Sequence, residues 1–70
     1  MEPIIHYHLY DIRARKGMSE RQLAQASGVS KSQINNIENG IKHPTVHTLC
    51  LLSLALDVSP YDLFSMERPL

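Results

Sequence analysis

Apolar residues recur at three- and four-residue spacing in five stretches of the chain, and short runs of Gly, Ser, Thr and Pro divide them. Leu9 and Ile12, with Ile5 one turn earlier, predict a first helix over about residues 5–16. Arg13, Arg15 and Lys16 fall near its end, where cations suit the negative pole of a helix, and Gly17 follows. Ser19 with Gln22 three residues on forms a capping box that opens a second helix from Glu20 to about Ala26, burying Leu23 and Ala24. Gly28 and Val29 make a turn, and Ser30 caps a third helix that runs to about Asn39 and stops at Gly40. Thr45 caps a fourth helix, Val46 to Leu56, and Ser59 with Pro60 opens a short fifth. No stretch alternates with period two for long enough to predict a sheet. The expected fold class is all-α.

The third helix has an unusual outer face. Ile34 and Ile37 are its only apolar residues, so they face inward, and at 100° per residue Lys31, Ser32, Asn35 and Asn36 lie on other faces. Two short helices joined by a three-residue, glycine-containing turn are a helix-turn-helix. Amide, hydroxyl and ammonium groups on the exposed side of its second helix are suited to hydrogen-bonding base edges in a major groove.

Seventy residues predict one domain, spanning 1–70 with a core over 5–65, and a chain this short buries only about 60% of its unfolded surface. The net charge of zero is uninformative, but its distribution is polar. From Asp11 to His43 six basic residues stand against three acidic ones; outside that stretch Arg68 stands against Glu2, Asp57, Asp62 and Glu67. The middle of the chain is therefore the part able to face an anion. Cys50 is the only cysteine, which excludes an intrachain disulfide and fits a reducing cytoplasm. The opening MEPIIHYHLY has neither a basic leader nor a long apolar run, so neither a signal peptide nor a membrane partner is expected.

The strings IRARKGMSERQLAQASGVSKSQINNIENGIKHPTVHTL and LALDVSPYDLF resemble the Cro/CI-type (XRE-like) helix-turn-helix DNA-binding domain over residues 9–64. That resemblance implies a five-helix, lambda-repressor-like fold with the helix-turn-helix at helices two and three. It also implies double-stranded DNA as partner, with the third helix in the major groove. By position it assigns base reading to Lys31, Ser32, Asn35 and Asn36. Phosphate or backbone positioning falls to Ser30, Asn39, Lys42 and His43, and a structural salt bridge to Arg13 and Glu38. Relatives commonly carry Gln at the first residue of helix two, where its amide meets a phosphate. Here that residue is Glu20, whose carboxylate repels phosphate, so Arg21 and Gln22 are the expected substitutes.

The fourth helix, VHTLCLLSLAL, has too much leucine for one buried stripe. Val46, Leu49, Leu52, Ser53 and Leu56 make the expected inward arc, leaving Leu51 and Leu54 outside it. With Tyr61 and Phe64 they predict the face of a homodimer. The same face is also the basis of a second reading, a protein-interaction module or antitoxin-like protein that binds a protein partner. His6, His8, His43 and His47 lack the companions and spacing of a metal site, and no cofactor-binding loop or catalytic carboxylate pair is present, so no metal, cofactor or enzyme activity is expected.

Overall fold

The computed structural model describes residues 1–70. Its elements run β1 (Ile4–Tyr7), α1 (Leu9–Arg15), α2 (Glu20–Ser27), α3 (Lys31–Glu38), α4 (Val46–Leu56), a 3₁₀ turn (Pro60–Leu63) and β2 (Phe64–Glu67). Each of the three helices α2, α3 and α4 begins where an N-cap hydroxyl accepts a backbone N–H: Ser19 from Gln22, Ser30 from Gln33 and Thr45 from Thr48. The α2 capping box is complete, because the Gln22 side chain also accepts the Ser19 N–H at 2.8 Å.

Two expectations are corrected. There are four α-helices rather than five, and a two-stranded antiparallel sheet joins the ends of the chain, with Ile4 opposite Glu67 and Tyr7 opposite Phe64. Ile5 lies on β1 and not on the first helix, which starts only at Leu9. The sheet carries regular structure to Ile4 and Glu67, just outside the 5–65 boundaries. The segment opened by Ser59 and Pro60 completes a single 3₁₀ turn. Phe64 then turns extended, at φ −153°, because the chain must run back alongside β1.

Ten buried side chains form one core: Leu9, Ile12, Leu23, Val29, Ile34, Ile37, Leu49, Leu52, Leu56 and Leu63. Every helix contributes to it, and the 3₁₀ turn contributes Leu63. At about 1.5–3 kcal/mol for each fully buried leucine or isoleucine, this cluster is the main source of cohesion in the fold. Its two buried polar side chains are satisfied: Ser27 accepts the Val29 N–H at 3.1 Å and Ser53 donates to the Cys50 carbonyl at 2.8 Å. No helix is long and apolar enough to cross a membrane.

On α4, Leu49, Leu52, Ser53 and Leu56 are buried as the spacing predicts. Val46 is not: it stands 77% exposed, one turn ahead of the core. Leu51, expected to face outward, is half-buried and packs on the core, so Leu54 at 80% exposed is the true outward leucine.

Candidate nucleic-acid interface

The turn between α2 and α3 sets the position of the polar face. Gly28 takes φ +77° and its N–H returns to the Ala24 carbonyl at 3.0 Å, closing α2 with a left-handed residue. Val29 is then buried, and Ser30 turns the chain directly into α3. Ile34 and Ile37 enter the core, which leaves Lys31, Ser32 and Asn35 exposed and Asn36 half-buried at the edge of the same face. At its far end α3 is closed by bonds from the Gly40 N–H to the Ile37 carbonyl and from the Ile41 N–H to the Asn36 carbonyl.

The angle of α3 is held from α1. Arg13 donates from Nε to Glu38 Oε2 at 2.6 Å and from Nη2 to Glu38 Oε1 at 2.9 Å, a two-pronged pairing. Its third nitrogen, Nη1, donates to the Met18 carbonyl at 2.8 Å, and the Tyr10 ring lies 5.1 Å from the guanidinium carbon. The two charged side chains retain only 11% and 6% of their exposure. The hydrogen bond to Glu38 raises Arg13 above its ordinary value, against the opposing pull of burial; the charges of Glu38 and Glu20 add to the rise.

Beyond the pairing, the structure joins the head of α2 to the outer face of α3. Asn35 donates from Nδ2 to Glu20 Oε2 at 3.2 Å, and Asn39 donates from Nδ2 to Asn35 Oδ1 at 3.1 Å. Glu20, set aside at the sequence level for its charge, is thus bonded to a residue of the α3 face. Only the distance between the first residue of α2 and the middle of α3 shows this, and no local pattern carries that distance.

On the other flank of α3, Gln33, Lys42, His43, Pro44, Thr45 and Thr48 line a shallow cleft of about 130 Å³ at the start of α4. Gln33, exposed on α3, is given no role by the sequence reading and lies against this cleft. His43 Nδ1 and the Tyr7 hydroxyl are hydrogen-bonded at 2.7 Å, so the loop after α3 is tied to β1. Burial raises the Tyr7 phenol above its ordinary value. Arg21 and Gln22 are exposed at the start of α2, with Gln22 already engaged in the capping box. His6 is paired with Glu67 and His8 with Ser65 across the sheet. No three His, Cys, Asp or Glu side chains are grouped so as to hold a metal ion.

Comparison with known proteins agrees with this geometry. A family model described as Helix-turn-helix matches residues 9–63. The HTH-type transcriptional regulator SlrR of Bacillus subtilis is 46% identical over 56 residues, covering 79% of this chain and 37% of that protein. An HTH-type transcriptional regulator of Sinorhizobium fredii, y4dJ, is 32% identical over 63 residues, covering 90% of this chain and 82% of its own length. Among solved structures, the restriction-modification controller protein C.AhdI of Aeromonas hydrophila superposes with a TM-score of 0.76 at 31% identity, covering 79% of this chain and 83% of that one. This chain spans little more than a third of SlrR.

Proposed function

The chain belongs to the helix-turn-helix family of DNA-binding transcription regulators, and we propose that it acts as a sequence-specific repressor that binds a palindromic operator as a homodimer. In this reading residues 1–70 work as one domain and α3 lies in the major groove. Lys31, Ser32, Asn35 and Asn36 meet base edges, while Ser30, Asn39, Arg21, Gln22, Lys42 and His43 meet or position the backbone. The observation that carries it is the outer face of α3, where an ammonium, a hydroxyl and an amide stand exposed on a helix whose other side is locked into the core. The printed descriptions of the relatives, transcriptional regulators and a controller protein, support the same role.

A dimer fits the small size of the reading face, since two half-sites about 34 Å apart on one side of a duplex double the contacts and select a palindrome. Its expected face is α4 and the segment beyond, with Leu51, Leu54, Tyr61 and Phe64. Leu54 and Tyr61 support it most directly, being 80% and 81% exposed. The same exposure keeps a second reading in view, in which this face binds a different protein.

Titration of labelled random duplex at low and moderate salt separates the two. A groove binder weakens steeply as salt rises, because phosphate contacts release counterions. Absence of binding at both salts refutes the DNA reading and favours the protein partner. Against an operator selected from a random pool, Lys31→Ala or Asn36→Ala is expected to cost about 1–3 kcal/mol and to relax preference at one base position.

A further inference from the structure

Glu20 is an acid placed on the side of the molecule assigned to a polyanion, and the helix-turn-helix geometry gives it a specific neighbour. It is half-buried at the first residue of α2, and its Oε2 accepts the Asn35 amide at 3.2 Å. On its other side Asn35 Oδ1 accepts the Asn39 amide at 3.1 Å. The two ends of an asparagine amide are nearly equal in size, so an exposed asparagine is free to present either order of donor and acceptor. A carboxylate removes that freedom, because it only accepts. The Asn35 nitrogen must face α2 and its oxygen must face Asn39.

We propose that Glu20 is a positioning residue for base reading: it fixes the Asn35 amide in one orientation and so selects the order in which Asn35 offers a donor and an acceptor to a base edge. An asparagine side chain has two N–H donors and two oxygen lone pairs. Glu20 and Asn39 each take one, which leaves one donor and one lone pair for the groove. That pair matches a base edge that presents an acceptor beside a donor, as adenine does with N7 and N6. The inference rests on the DNA-binding reading given above. It gives the acid at the head of α2 a positive role, at the cost of repelling the nearest phosphate.

The test uses the full chain and a pool of random duplexes, from which bound molecules are selected and sequenced for the parent, Glu20→Gln, Glu20→Ala, Asn35→Ala and the Glu20→Ala/Asn35→Ala double variant. Thermal melts check that each is folded. Glu20→Gln keeps an acceptor oxygen and loses the charge but gains an amide donor, so it is expected to bind all duplexes more tightly while its preference at the base pair read by Asn35 loosens. Glu20→Ala loses both, so its preference at one base pair is expected to fall by at least about fivefold, the low end of what one good base contact contributes. Asn35→Ala loses preference at that same base pair, and the double variant loses no more than either single one.

Three results overturn the inference. In one, Glu20→Ala retains the parent's preference at every position; in another, Asn35→Ala leaves all preferences unchanged; in the third, the two single losses multiply in the double variant. The first and third leave the parent selecting a definite sequence, so the inference falls alone and the regulator reading stands. A parent that enriches no sequence overturns both.

Discussion

α3 and α4 lie next to each other in the chain and both close over the same core, yet their outer faces are opposites. α3 buries Ile34 and Ile37 and turns Lys31, Ser32 and Asn35 to solvent. α4 buries Leu49, Leu52, Ser53 and Leu56 and turns Val46 and Leu54 to solvent. The outward groups of α3 are also organised, through Glu20, Asn35 and Asn39, and the helix is anchored by Arg13 to Glu38. No ion pair anchors α4. Its hydroxyl contacts are within its own turn or its own backbone, from Thr45 to Thr48 and from Ser53 to Cys50. A polar face held by a network is built to meet a ligand in fixed geometry, whereas a bare apolar face gains from any apolar cover that removes it from water. The difference supports the proposed division of partners, in which α3 meets a nucleic acid and α4 a protein.

The largest effect is expected where α3 is anchored. Arg13→Ala leaves Glu38 with a buried, unpaired charge, and Glu38→Ala does the same to Arg13. Each should lower stability by about 3–5 kcal/mol, read as a fall in the denaturant midpoint, with duplex affinity falling alongside. The sign of its pH dependence also follows. Arg13 is raised above the ordinary arginine value in the fold, so its contribution is fully present below that value and is lost only as pH rises through the folded one. From the arginine side, the anchor is insensitive to pH over the whole working range. A stability loss under 1 kcal/mol for both variants would mean that packing of Ile34 and Ile37 alone sets the angle of α3.

The contrast between the helices also explains what the sequence revealed and what it hid. On α3 two isoleucines among polar residues leave a single choice of inward face, so its orientation and its exposed groups were legible. On α4 nearly every position is apolar, and nothing in the pattern says which leucines are inside. Val46 was therefore placed inward although it is exposed, and Leu51 outward although it packs on the core. Caps and turns were readable because Ser19, Ser30 and Thr45 act on N–H groups three residues away. The sheet was not, because its strands are four residues each and their partners stand at opposite ends of the chain. The contact of Glu20 was hidden for a similar reason: its chemistry was read from its charge, and its hydrogen-bond partner lies fifteen residues on.

A smaller effect tests the α4 side. Leu54→Lys replaces the outward leucine and touches no core residue, so the melting of the isolated subunit should change by less than about 0.5 kcal/mol. Burying a leucine contributes about 1.5–3 kcal/mol per subunit, so the same change should weaken self-association by at least about tenfold in sedimentation or light scattering. Leu51→Lys, by contrast, should lower the stability of the subunit itself, since Leu51 is partly covered by its own core. If Leu54→Lys leaves the mass in solution unchanged, the homodimer face lies elsewhere, and the apolar side of α4 loses its assigned partner.

The smallest effect concerns the loop between the two helices. Lys42 and His43 lie between the end of α3 and the cap of α4, and the Tyr7 hydroxyl holds His43 from β1. Tyr7→Phe removes one hydrogen bond between groups that still see water, which should cost about 0.5–1.5 kcal/mol at neutral pH. The alkaline limb then reports on the burial of the phenol itself. Burial raises the Tyr7 phenol above 10.0 in the fold, so the folded state holds that proton more tightly than the unfolded chain. The stabilisation is complete below pH 10.0 and is lost as pH rises through the folded value. The parent should therefore lose stability more steeply than Tyr7→Phe from about pH 10 upward, and the two denaturation midpoints should converge. Parallel curves across that range would show that the Tyr7 phenol is freely hydrated, and a neutral-pH loss well below about 0.5 kcal/mol would show that its bond to His43 does not restrain the loop between the two faces.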